Sequence, residues 1–254
     1  MRRVVHVLGL PVVLFAAWYV FSAGSENFYA PPLRDILRAF ARTWTLDRLE
    51  GDVLPSLLRL AAGYTLAAVI GVALGLAIGL SPGLRAGAEP VLEFFRAVPP
   101  PVLVPVIMLF AGIGDGMKII VIVSGCVWPV LLNTVEGVRA VDSVQLDTAR
   151  AYGITGVSRI RQVILPSASP QIAAGLRQAL SLAIILMVIS EMFAAGNGLG
   201  FTIVQFQRGF AIPEMWSGII LLGLLGFGLS LLFRLAETRA LRWYHGLRAA
   251  AKGR

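Results

Sequence analysis

The chain has 254 residues, of which 57% are hydrophobic and 14% charged, and its mean hydropathy is +0.80. Soluble domains carry roughly a quarter charged residues, so this composition excludes a soluble globular fold and indicates an integral membrane protein. The net charge of +8 would suggest nucleic acid in a soluble protein; here the basic residues lie in loops between apolar runs, and no nucleic-acid partner is expected.

A helix needs about 20 apolar residues to cross a bilayer core, and runs free of Asp, Glu, Lys and Arg mark out the passes. The first, Val4 to Ser25, follows Arg2 and Arg3. It also has the basic start and small residues of a secretory signal peptide, but its apolar stretch exceeds the roughly 7 to 15 residues usual there. Between Glu26 and Pro55, Leu33, Ile36, Leu37 and Phe40 recur at helical spacing, which fits a short amphipathic helix at the membrane interface or a solvated connector.

The second run, Leu60 to Leu84, carries Gly63, Ala67, Gly71, Gly75 and Gly79 at four-residue intervals. Such a smooth ridge lets another helix approach closely, in the same chain or in a second copy. A third run, Ala97 to Gly114, and a fourth, Ile119 to Val135, are joined by the tight turn from Gly112 to Gly116, where glycine permits positive φ. After a polar loop comes a fifth pass between Arg177 and Arg208, interrupted by Glu191 just ahead of the glycine-rich stretch Gly196 to Gly200. The last run is Met215 to Phe233, with a weaker small-residue pattern at Gly223, Gly226 and Ser230. The fold class is therefore all-α with about six transmembrane helices. It divides into a first helix and extracytoplasmic segment (1–54), a core (55–245) and a basic tail (246–254).

Orientation follows from the rule that short cytoplasmic loops collect Lys and Arg. With the amino terminus inside, 15 of the 22 basic residues are cytoplasmic, and only Arg34, Arg38, Arg42, Arg48, Arg59, Lys118 and Arg208 are outside. Both termini are then cytoplasmic.

No catalytic or metal-binding constellation is present. His6 and His245 stand near opposite ends, Cys126 has no second thiol, and no glycine-rich loop ends in Lys-Ser or Lys-Thr to hold a nucleotide phosphate. An ionisable group inside a pass is a functional candidate by default. Glu191 is that group, as a pathway residue or as a structural carboxylate that bonds the neighbouring loop. Ser124, Asn133 and Ser181, with Thr134, are candidates to line a polar pathway, although such side chains often bond only their own backbone.

The loop after the fourth pass is the most specific part of the sequence. Asp142 or Ser143 is placed to cap a short helix and Gly153 to end it. A second short helix from Gly156 is expected to stop before Pro166, because a proline disfavours helical geometry in the residue ahead of it. Two short helices lying along the membrane, with Arg150, Arg159 and Arg161 on them, would form a docking platform.

This loop resembles the EAA loop of bacterial ABC importer permeases: Glu-Ala-Ala, three residues, Gly, nine residues, then Ile, any residue, Leu-Pro. The chain supplies Asp147-Thr148-Ala149, then Gly153, then Val163, Ile164, Leu165 and Pro166 at the same spacing, with Asp, Thr and Val as departures. Phe95 to Pro100, Pro129 to Thr134, and Glu191-Met192 with Gly198-Leu199-Gly200 are similar to the nitrate, sulfonate and taurine branch, so that the likeness spans about Pro55 to Tyr244.

The resemblance implies a type I importer permease in the bacterial inner membrane. Its partners would be two ABC ATPase subunits, a second permease copy forming a homodimer, an extracytoplasmic solute-binding protein and membrane lipid. ATP and Mg would be held by the ATPase, with no cofactor on this chain, and Asp147, Thr148, Ala149, Gly153, Val163, Leu165 and Pro166 would form the coupling element. The solute would be a small anion such as a sulfonate, taurine or nitrate. The alternatives are an ion-coupled secondary transporter centred on Glu191, against which the absence of an inverted repeat speaks, and a membrane-embedded enzyme, for which no polar cluster is visible.

Overall fold

The structure, a computed structural model, describes residues 2–193 and 196–244; the basic tail at 246–254 lies outside them. All regular elements among these residues are helices: α1 (Arg2–Ser22), α2 (Leu33–Thr43), α3 (Leu46–Leu80), α4 (Pro82–Ala97), α5 (Val104–Ala111), α6 (Asp115–Arg139), α7 (Ser143–Ala151), α8 (Gly156–Phe193), α9 (Leu199–Arg208) and α10 (Ile212–Ala240). Helices α3, α6, α8 and α10 are each long and apolar enough to cross a membrane. One bent helix pair is a candidate for a broken span or a re-entrant loop. Pro82–Phe95 and Pro100–Ala111 meet at 82°, where the sequence predicts one straight pass from Ala97 to Gly114. The cause is the run Pro99-Pro100-Pro101, which removes three consecutive N–H donors and holds Val98 extended at ψ 118.

The glycine ridge of α3 finds its partner within the chain. A Cβ built on Gly63 would lie 2.7 Å from Ile122, on Gly71 2.8 Å from Val130, on Gly75 2.5 Å from Thr134 and on Gly79 2.8 Å from Val138. Each partner on α6 stands at the same sequence offset from its glycine, so the two helices run parallel and in register over four turns. This contact occupies the ridge that sequence alone also offers to a second copy. Helix α8 packs antiparallel on another face of α6, with Gly175 against Pro129 and Asn133, and Gly137 against Ala168. In lipid, such close backbone approach replaces the hydrophobic drive that water would supply.

Helix α10 is attached differently. Its buried residues, Ile212, Ser217, Gly218 and Leu221, all fall in its first ten positions, and Gly223 and Gly228 meet no atom within 4 Å. The amphipathic helix α2 buries Leu33, Ile36 and Ala39 against this end of α10, and Trp44 Nε1 donates to Ser217 Oγ at 3.1 Å. Its apolar face is thus covered by protein instead of lying in the interface.

Candidate functional site

The loop between α6 and α8 is built from successive backbone devices. Asp142 accepts the Val144 N–H at 2.9 Å and caps α7. At the other end Ile154 N–H reaches Ala149 O at 2.8 Å and Gly153 N–H reaches Arg150 O at 3.0 Å, with Gly153 at φ +72. That pair of bonds is a Schellman stop, which requires a left-handed residue where Gly153 stands. Asp147 pairs with Arg150 at 3.1 Å on the exposed side, Thr148 bonds back to Val144 O, and Ala149 is buried.

Beyond Gly156 the expectation of a short helix ending before Pro166 does not hold. The chain forms a π turn over Ile160–Ile164, in which Leu165 N–H bonds Ile160 O, and continues as α8 to Phe193. Widening the turn moves Pro166 to a place where its missing N–H costs little, as at the start of a helix. Ile164 is buried with Val138, Val141, Ala168 and Ile172, and Leu146 of α7 packs on the same cluster. Ser167 Oγ donates to Gln145 Oε1 at 3.0 Å. The loop is therefore fastened to the helix bundle while Val144, Tyr152 and Val157 stay exposed on its surface, Tyr152 at 80%. A groove of about 430 Å³ runs between α7 and the start of α8, with Val163 and Pro166 in its wall.

A second cavity, of about 640 Å³, lies between α6 and α8 beside the proline break. Asn133, Gln178 and Ser181 supply its polar groups and Trp128, Pro100 and Ile185 part of its wall. Gln171 Nε2 donates to Asn133 Oδ1 at 3.1 Å, and Trp128 stacks on Phe95 at 5.4 Å between centroids. The structure thus brings Asn133 and Ser181 together. Ser124 does not join them: it bonds Val121 O at 2.8 Å and is not in the lining. Thr134 faces Gly75 and bonds Val130 O.

Glu191 is elsewhere, at the end of α8 remote from the α7 loop. Its side chain is 0% exposed. Arg59 Nη1 donates to it at 2.7 Å, Ser56 Oγ at 2.8 Å and Gly200 N–H at 3.0 Å. Arg59 also holds Asp115 at 2.8 Å and the Asn197 side chain at 2.6 Å, and Lys118 joins Asp115 at 3.3 Å. Gly198 sits at φ +121 with the carboxylate only 2.5 Å from where a Cβ would stand, so no side chain fits there. A buried ion pair is held only where further hydrogen bonds satisfy its remaining atoms, and this cluster meets that condition by knotting α3, α6, α8 and the glycine-rich loop.

Comparison with known proteins matches residues 53–242 to the family described as the binding-protein-dependent transport system inner membrane component. The chain belongs to that family. It is a multi-pass permease subunit of an inner-membrane ABC importer. The permease is 30% identical to the taurine transport system permease protein TauC of Escherichia coli, over 96% of this chain and 91% of that one. It is 30% identical to the putative aliphatic sulfonates transport permease protein SsuC of Bacillus subtilis, over 92% and 86%, and 32% identical to the nitrate import permease protein NrtB of Synechococcus elongatus, over 78% and 74%. In fold it is similar to an inward-facing structure of the MetNI methionine ABC transporter, with a TM-score of 0.62 at 22% identity over 76% of this chain and 94% of that one.

Sequence reasoning about the permease missed Arg59 and Ser56 as partners of Glu191, and Asp115 and Asn197 as further partners of Arg59. The signal for Arg59 was present, since a carboxylate in a pass demands a cation and Arg59 borders the second run on the same side. Gln178 was also missed in the cavity; it lies three residues, one helical turn, before Ser181 and so shares its face.

Proposed function

We propose that this permease moves a small anion of the sulfonate, taurine or nitrate class into the cytoplasm, working as a homodimer with two ABC ATPase subunits and an extracytoplasmic solute-binding protein. The end bearing α7 is the cytoplasmic one, as are both termini, in keeping with the distribution of Arg and Lys. The segment 55–245 carries transport and 1–54 adds a first transmembrane helix with an extracytoplasmic segment.

The observation that carries this reading is the α7 loop: a capped helix, a Schellman stop and exposed apolar side chains, all fastened to the bundle. Asp147, Thr148, Ala149 and Gly153 shape its outer part, and Val163, Leu165 and Pro166 stand in the first turns of α8. ATP binding would draw the docked loops of the two copies together. Because α8 is helical from Gly156 to Phe193, displacement at the loop is passed along one rod to the cavity at Asn133, Gln178 and Ser181 and on to the Glu191 knot, a rigid-body rocking of the bundle. The cavity offers neutral amide and hydroxyl donors, which suit passage of an anion without a deep binding well, while Glu191 serves structure.

Vesicles carrying the permease with its ATPase and binding protein test the reading. Uptake of the anion that depends on ATP is expected. Hydrolysis of ATP with no accumulation of any of these solutes would refute it.

A further inference from the structure

The fully buried residues of α10 stop at Leu221; below it Leu222, Leu229 and Phe233 are only partly buried against the core, and a cavity of about 580 Å³ lies between α8 and α10. Arg177 and Arg234 both line it, with Glu237 between them in charge. Arg177 pairs with Glu237, yet its side chain is 61% exposed; Arg234 has no ion pair among the described residues. Two guanidinium groups against one carboxylate leave one positive charge uncompensated. Ser230 and Thr238 add hydroxyl groups, and Leu180 and Phe233 close the apolar side.

The depth of this cavity matters. Arg234 follows Ile212 by 22 positions on α10, or about 33 Å. Counted from Ile212, a hydrocarbon core of about 30 Å ends near Arg234, and the pair with Glu237 holds Arg177 beside that level, at the headgroups of the leaflet on the loop-bearing side. Phe227 and Leu231 stand exposed along α10 just above, offering a bed for an acyl chain.

We infer that this wedge is a binding site for one anionic phospholipid, whose phosphodiester is held by Arg177 and Arg234 and whose chain lies in the gap between α8 and α10. A single negative charge balances the excess positive one, and Glu237 keeps Arg177 aimed into the cavity. Basic pockets between transmembrane helices recognise lipid headgroups by the same physics. The lipid would fill the space that α10 leaves open and hold its lower half against α8.

Native mass spectrometry of the full-length permease, supplied with equal phosphatidylglycerol and phosphatidylcholine, tests the site. The wild type is expected to retain phosphatidylglycerol preferentially, Arg234→Gln to lose that retention by about tenfold, and Arg234→Lys to keep most of it. Ser230→Trp, which fills the wedge without touching its charge, should also abolish retention. Excess inorganic phosphate should leave the bound lipid in place. Equal retention of the two lipids, unchanged retention in Arg234→Gln and Ser230→Trp, or displacement by inorganic phosphate would each overturn the lipid site, the last by assigning the arginines to free phosphate.

Discussion

The two ends of α8 are held by opposite means. At the Glu191 end, Arg59, Lys118 and Glu191 from three helices are buried, tied to one another through the exposed Asp115 and to the glycine-rich loop through Asn197 and the Gly200 N–H. At the Gly156 end, main-chain bonds give the loop its shape and leave its apolar side chains outside. A structure that must stay assembled while its halves rock needs a fixed knot, and one that must receive a push needs a stiff surface with unspent contacts. The long helices between the ends, locked through glycines, carry one to the other.

Breaking the knot should have the largest effect. Glu191→Ala leaves Arg59 buried beside an empty place, and removing one partner of a buried pair costs about 3–5 kcal/mol, so thermal unfolding in detergent should fall steeply. If Glu191 were a coupling carboxylate instead, Glu191→Gln would abolish transport while leaving the unfolding temperature near wild type.

The middle of the molecule gives the next effect. Gly75→Ala forces a methyl group to within 2.5 Å of Thr134 and 2.9 Å of Leu131 O, and overpacking of this kind costs about 1–3 kcal/mol. Gly87→Ala, in α4 with no atom within 4 Å, should be neutral or slightly stabilising, so comparing the two melting points separates ridge packing from helix propensity.

At the loop end the effects should be small in stability and large in coupling. Gly153→Val places a branched side chain at φ +72, a cost of about 1–2 kcal/mol, with insertion and global unfolding little changed. Co-purification of the ATPase and solute-stimulated hydrolysis should drop sharply, and normal values for both would show that the loop has another role. Asp142→Ala removes the cap of α7 at about 1 kcal/mol; faster amide exchange confined to 143–146 is the expected sign.

The sequence made these regions legible to different degrees. The spacing of Gly63 to Gly79 exposed a packing face, but a face does not name what covers it; only the matching interval from Ile122 to Val138 does, and valine, isoleucine and threonine there look like ordinary membrane residues. Glu191 was visible as an anomaly and its site near a helix end was correct, whereas its partners on α3 come from positions more than a hundred residues away. Asp142 and Gly153 were readable because caps and stops are local. Pro166 misled for the same reason: local bias argued for a stop, and a π turn absorbed it. The proline run at 99–101 was counted inside a pass that it breaks.

Cross-linking at the loop tests the account most directly. Cys126, the only cysteine, is buried, so Tyr152→Cys places the sole accessible thiol on the exposed face of the loop. With the ATPase co-expressed, a bifunctional cross-linker should yield a permease–ATPase adduct at one ATPase per permease, and Phe110→Cys, on an exposed site away from the loop, should give none. No adduct from a folded, membrane-inserted Tyr152→Cys protein, or equal adducts from both variants, would contradict the loop as the docking element.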